Sequence, residues 1–579
     1  MGLKNRIKAA PPVSIWQWRT LLVCGCLMLL ACGGGGSKSN LTSPSSAAVS
    51  NSSLVSSSNA TSSSSTSSAQ MSSAASSIRL GGRVTYDFVP HNNDHIGLNY
   101  SATTVKAVRG VVVELLDSKN LVLATTITDN VGDYSFSVES NRLVKVRVKA
   151  QLSRTQTPTW NFKVTDNTNS NSLYVMDGSL AVASDATGVR NLHAASSWTG
   201  TSYSSTRVAA PFAILDSVLL GAEKIVAAGN SRNFPPLELR WSVNNKAADG
   251  EPTFGEIGTS FYDGSAIYIL GDQNSDTDEY DRHVILHEWG HYIENELSRS
   301  DNIGGDHAYD DKLDLRVAMS EGFSNAFSAM MLDDPEYRDA SGTQQADGFS
   351  NDVSQKNHLV RGWYSESSIQ SILYNFYLSE NGKVAKNFSD IFKVFSSEIY
   401  SENAAMISIY TFTDALRSVL PDQIVNFDSL LLEQNIEPTN AFGEGESNSG
   451  GYSGSLPVYK ILATNNSPVT VCSTNRFGAY NKLSVSQFLR LDISSPGIYR
   501  ITVSEAGSNS GDSDPDIYLH RNGNLIDFAE GTVIDQEDLT TDTLSVGTYV
   551  LEILDARVAD INSSDDITAC FDVRASVSN

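Results

Sequence analysis

The stretch Val284-Ile285-Leu286-His287-Glu288-Trp289-Gly290-His291-Tyr292-Ile293 places two histidines four residues apart inside an apolar-periodic segment. Four residues make about one helical turn, so both imidazoles leave the same face and can reach one ion at the bond length of about 2.0–2.1 Å that zinc takes. Glu288 follows the first histidine and comes within reach of a water on that ion. The chemistry this permits is hydrolysis, with a carboxylate as general base and a metal as Lewis acid. A catalytic zinc site needs a third protein ligand and an open fourth position. The places three and six after His291 hold Glu294 and Leu297, not the glycine and histidine that would extend the motif locally, so the third ligand lies elsewhere. Ser320-Glu321-Gly322-Phe323-Ser324-Asn325, on a second apolar-periodic segment, offers Glu321.

The pairing of these two segments resembles the gluzincin metallopeptidases of the thermolysin and fungalysin kind, whose third ligand is a glutamate in a Glu-Gly-x-x-Asp-like helix. The resemblance implies a mainly helical zincin-like catalytic domain, Zn2+ as cofactor and a protein or peptide as substrate. It makes His287, His291 and Glu321 the metal ligands and Glu288 the base. Asn325 departs from the pattern: it can accept a hydrogen bond from a ligand imidazole but brings no charge to it. Gly362-Trp363-Tyr364-Ser365-Glu366 is similar to a stretch in which the thermolysin-like enzymes carry a histidine third, which implies Tyr364 as the donor to a developing oxyanion; a tyrosine that only packs is the other reading. His283, one turn before His287, reads as an exposed helix histidine, or else as one that lines the cleft. Asp306, His307, Asp310, Asp311 and Asp314 crowd the loop between the two helices, which reads as a solvated acidic loop or as one that binds calcium or shapes the cleft.

The elements that must position these residues follow from hydrophobic period. Helices are expected over 208–228, 281–297, 317–332 and 367–377, within a zinc metallopeptidase domain spanning 166–450. Before it, alternating β-branched runs at 82–86, 111–116, 121–128, 134–138 and 143–148 predict a β-sandwich over 79–165. The Gly132-Asp133-Tyr134-Ser135-Phe136 turn and strand resembles the carboxypeptidase-regulatory-like type. After it, residues 455–579 return to strands at 488–493, 497–503, 516–519 and 549–554. Asp514-Pro515-Asp516-Ile517-Tyr518-Leu519 with Arg521-Asn522-Gly523 resembles a pre-peptidase C-terminal β-sandwich. The fold class is therefore multidomain α+β: an N-terminal β-sandwich, a mainly helical zincin-like catalytic domain and a C-terminal β-sandwich. Asp512, Asp514 and Asp516 read first as a solvated acidic turn and could otherwise hold Ca2+, because alternating carboxylates are hard oxygen ligands. Cys472 and Cys570 form a candidate disulfide.

The N-terminus reads as an address. Lys4, Arg6, Lys8 and Arg19 precede an apolar run at 20–31 that ends Leu29-Leu30-Ala31-Cys32. This resembles a bacterial lipoprotein signal over 1–31, which implies a lipid on Cys32, a lipid anchor in the membrane and, with Gly33 next, the outer membrane, facing the periplasm or the cell surface. A Ser-rich flexible tether fills 32–78, with 21 serines among residues 37–77, and 41 such residues span about 35 Å. The net charge of -25 excludes a surface that trades counterions with a phosphate backbone, so no nucleic acid is expected as partner. Two further readings keep the zinc motif. One is a surface binding or adhesion lipoprotein with an inactive zinc site, and the other a zinc hydrolase of a non-peptide bond.

Overall fold

The computed structural model describes residues 7–8 and 76–578, apart from 95, 205, 381–382, 385, 508–511 and 564–565. The lipoprotein signal, save Ile7–Lys8, lies outside the described residues, as do Cys32 and the tether as far as residue 75; Ile7–Lys8 pair with Asp306–His307. From Ile78 onward the chain is one compact unit of mixed α+β architecture, with sandwich-like sheets at both ends of the sequence and helices between.

The N-terminal sheets begin with β1 (Ser77–Phe88), β2 (Thr104–Ala107), β3 (Val111–Asp117), β4 (Val122–Ile127), β5 (Asp133–Glu139), β6 (Leu143–Arg154), β7 (Trp160–Asp166) and β8 (Leu192–Ala194). β6 shows why they form: every second residue from Val144 to Leu152 is buried, the period-2 pattern of a strand with one face in the core. β1, β2, β5 and β8 make one sheet, and β3, β4, β6 and β7 lie in the other. The second sheet runs on past the expected boundary near 165. Helix α1 (Ala210–Ala227) crosses back over it, and β9 (Leu237–Trp241) pairs parallel with β7 from Leu237↔Phe162 to Arg240↔Thr165. This is a β-α-β crossover, the connection that parallel neighbours require. Two more strands, β10 (Phe261–Tyr262) and β11 (Ala266–Ile269), complete that edge. The 79–165 segment and the helical segment thus share a sheet and one apolar core, with Val84, Phe162, Leu215, Trp289 and Phe327 in a single cluster.

Helices α2 (Arg282–Leu297), α3 (Leu315–Leu332) and α4 (Glu366–Leu378) pack side by side. In α3 every residue except Leu332 is buried, although it carries Arg316, Ser320, Glu321, Ser324, Asn325 and Ser328. A central polar helix must satisfy each of those groups with a partner. The partners it finds make the site.

The C-terminal sandwich sets β14 (Tyr459–Leu462), β16 (Gln487–Ile493), β21 (Gly547–Asp555), β18 (Pro515–Arg521) and β19 (Asn524–Ala529) against β15 (Val469–Thr474), β22 (Thr568–Val577), β17 (Tyr499–Glu505) and β20 (Gln536–Thr540). It has its own core, including Leu489, Ile501, Leu551 and Phe571. Cys472 and Cys570 face each other across the β15–β22 ladder and are bonded.

Candidate active site

Two glycines let the helices come close enough. A Cβ at Gly290 would stand 3.0 Å from Ser324 Oγ, and one at Gly322 only 2.5 Å from Ile369 Cβ. The α2–α3 and α3–α4 contacts therefore use the glycines that sit beside the motif residues in sequence. Across the first contact His287 Nε2 lies 3.2 Å from Glu321 Oε2, His291 Nε2 lies 3.4 Å from the same oxygen, and the two Nε2 atoms are 3.1 Å apart. A tetrahedral ion with bonds of about 2.0–2.1 Å spaces its ligand atoms by about 3.3 Å. The triangle has that edge length.

The donor set also fits a cation. His287 Nδ1 stands 2.9 Å from Asn325 Oδ1, and with the amide oxygen there it is the donor, which leaves Nε2 a bare lone pair. His291 Nδ1 stands 3.0 Å from Ser320 Oγ and 3.1 Å from Ser324 Oγ, and Ser320 Oγ donates to Glu294. Glu321 is fully buried on α3, and Asn302 Nδ2 donates to its Oε1 at 3.2 Å. Two lone pairs and a carboxylate oxygen thus converge on one point away from water. His291, 12% exposed, marks the side from which solvent arrives.

Glu288 is buried beside this triangle, and Tyr262 N on β10 donates to its Oε2 at 2.9 Å. Burial pushes its carboxyl up to about 8, with nearby His291 and Glu321 acting in opposite senses. A carboxyl tuned toward neutrality is what general-base work near pH 7 needs.

Residues 232–418 match the mycolysin C-terminal domain family. That span contains α2, α3 and α4. No curated protein matches the chain. Among solved structures, the precursor of protealysin, a metalloproteinase from Serratia proteamaculans, is 11% identical over 49% of this chain and 90% of its own, with a TM-score of 0.30. The pre-peptidase C-terminal domain of collagenase from Bacillus anthracis is 9% identical over 20% of this chain and 93% of its own, with a TM-score of 0.15. Likeness at this level says nothing of activity.

Three expectations need correction. Tyr364 is buried, and its hydroxyl donates to Arg361 O at 3.1 Å and Asn448 Oδ1 at 2.9 Å. It locks the glycine-rich 443–454 loop to the turn before α4, and among the described residues it has no hydrogen bond, ion pair or ring contact with the triangle. His283 is not exposed but buried, its ring 5.5 Å from that of Tyr337. Asp512, Asp514 and Asp516 do not converge: Asp512 is exposed in the loop, while Asp516 is buried within β18. The acidic group that does converge among the described residues is Asp276, Asp278 and Asp339, each offering an oxygen within 4.8 Å of the others. Asp278 lies in the turn ahead of α2 and Asp339 on β12 (Glu336–Ser341), which pairs with β13 (Asp347–Asp352), and an Oδ1 of each of the three lacks a hydrogen bond among the described residues. Asp281, fully buried alongside, takes Ala340 N at 2.7 Å and lies 3.0 Å from His91 Nε2.

Sequence reasoning left His307 among the residues of an acidic loop and did not single out Glu366. His307 is buried with its Nε2 3.5 Å from Glu321 Oε2 and 3.3 Å from Glu366 Oε2. The available signal was the glycine pair Gly304-Gly305 ahead of a lone histidine, both at positive φ.

Proposed function

We propose that this chain is a membrane-tethered zinc metalloendopeptidase. The observation that carries the reading is the triangle of His287, His291 and Glu321 with buried Glu288 beside it. The match to the mycolysin C-terminal domain over 232–418 supports a metallopeptidase in the same region. His287, His291 and Glu321 would hold Zn2+, which when bound supplies Lewis acidity toward a scissile carbonyl and toward water. Glu288 takes the proton of the attacking water and passes it to the leaving amine. Asn325 fixes the ring of His287, and Ser320 and Ser324 fix that of His291, so both present Nε2 to the ion.

A second cation belongs to the reading. Asp276, Asp278 and Asp339 would hold Ca2+, a hard ion for which buried carboxylate oxygens without hydrogen bonds are fitting ligands. Cys32 carries the lipid that anchors the protein to the outer membrane, the serine-rich tether lets the catalytic unit reach protein or peptide substrates, and no nucleic acid is a partner.

The test is zinc content and casein hydrolysis by residues 76–579 beside its Glu288→Gln variant. One zinc in both and hydrolysis by the parent alone is the expected result. Zinc in both with no hydrolysis by either would replace this reading with a binding lipoprotein or a non-peptide hydrolase.

A further inference from the structure

The segment that enters the site between α2 and α3, residues 298–314, has almost no regular structure, yet it supplies two of the groups that touch Glu321. Asn302 donates to Oε1, and His307 lies against Oε2. Behind His307 stands Glu366, the first residue of α4, fully buried, with neither carboxylate oxygen hydrogen-bonded among the described residues. The partner that compensates Glu366 is therefore His307, whose Nδ1 lies 3.2 Å from Gly305 O, a pure acceptor. His307 is held at one nitrogen by its own loop and presents the other to two carboxylates.

A loop of this kind keeps a side chain in place only if its backbone is held. Residues 480–483, between β15 and β16 of the C-terminal sandwich, hold it at successive points. Tyr480 OH donates to Ile303 O at 2.8 Å, Asn481 Nδ2 to Gly304 O at 2.9 Å and Lys482 Nζ to Asp306 O at 2.6 Å. Leu483 N donates to Lys312 O at 2.9 Å, and Asp314 N to Asn481 O at 2.8 Å. Gly305 fits because it has no side chain: a Cβ there would stand 2.7 Å from the Tyr480 ring. A buried ion pair fixes the same sandwich to α3 itself, Arg316 giving two hydrogen bonds to Glu552 at 2.7 and 2.9 Å.

We propose that the C-terminal β-sandwich is a working part of the metal site: its 480–483 segment clamps the 298–314 loop so that His307, backed by Glu366, positions the Glu321 carboxylate. The sandwich is then not a detachable appendage, and His307 and Lys482 act along one path. This rests on the zinc reading above. Groups that orient a metal ligand typically cost about 10–100-fold in metal affinity when removed, and residues on one path are non-additive in a double-mutant cycle.

The experiment measures zinc affinity by chelator competition, with thermal stability alongside, in the full chain carrying His307→Gln, Lys482→Met, both together, and the conservative Tyr480→Phe and Lys482→Arg. His307→Gln should weaken zinc binding about tenfold or more. Lys482→Met should weaken it severalfold, Tyr480→Phe should act in the same direction, Lys482→Arg should restore most of the loss, and the double variant should be no weaker than His307→Gln alone. Normal zinc affinity in Lys482→Met and Tyr480→Phe, or losses that add fully in the double variant, would overturn the clamp even if stability fell, because stability alone is what a merely structural contact would change. A parent that binds no zinc would overturn the metal reading and this inference together, whereas a zinc-binding parent with unaffected variants would overturn this inference alone.

Discussion

His287, Glu288, His291 and Glu321 could be read from sequence because helical periodicity is local information: four residues place two imidazoles on one face whatever surrounds them. Asn325 was legible for the same reason, one turn beyond Glu321, and it stands 2.9 Å from His287 Nδ1. Its lack of charge gives a prediction. Asn325→Asp should raise zinc affinity, read by chelator competition, and raise kcat/KM on a peptide substrate, since a carboxylate makes the imidazole a stronger donor. A clear loss of both would mean that the amide is required for another contact. Tyr364 was assigned by analogy with a histidine in a similar stretch, and nothing in its own neighbours in sequence could reveal that Asn448 takes up its hydroxyl. Tyr364→Phe should therefore leave kcat unchanged and lower stability by about 1 kcal/mol, the usual worth of one hydrogen bond, as followed by thermal melting. His307 and Glu366 escaped because their meeting is tertiary, made by a loop and the first residue of a helix.

At the scale of elements the four expected helices came out within about two residues, because apolar periodicity and buried length marked them, whereas the shorter helices Phe388–Phe395, Ile409–Val419 and Ile424–Glu433 were missed. What periodicity did not show is how tightly they pack. Gly322→Ala should push α3 from α4, where the added carbon would lie 2.5 Å from Ile369 Cβ, and should cost about 1–3 kcal/mol. A melting temperature equal to the parent's would contradict that packing. The short strand β9 was also missed, since five residues with two charges carry little signal and its partner β7 lies some seventy residues earlier. Beside α2 and β12, burial pushes Asp276, Asp278, Asp281 and Asp339 well above the usual carboxylate range, with mutual repulsion adding to it. Raised folded-state values mean stability that is fully present below the unfolded value of about 3.9 and is lost as pH rises through the folded one. The contribution of this cluster to the stability of the metal-free protein should therefore fall as pH rises above about 4, and Ca2+ should raise the melting temperature most strongly at the high-pH end. A melting curve indifferent to Ca2+ at pH 8 would remove the cation from this cluster.

For the molecule as a whole, composition and turn signals gave the mixed α+β class and both sandwich-like ends, but not their integration. The sheet that continues through β7 and β9, and the clasp of residues 480–483 on the loop before α3, join segments 75 and 177 residues apart. Only folding brings these together, so no local pattern announces them. The proposed activity nevertheless rests on one carboxylate, that of Glu288. The measurement that tests it most directly is zinc content and peptide hydrolysis in the parent and in Glu288→Gln. The geometry predicts one zinc per chain in both and a loss of hydrolysis of at least about a hundredfold in the variant, as removal of a general base gives. Full hydrolysis by Glu288→Gln, or a parent without zinc, would contradict it.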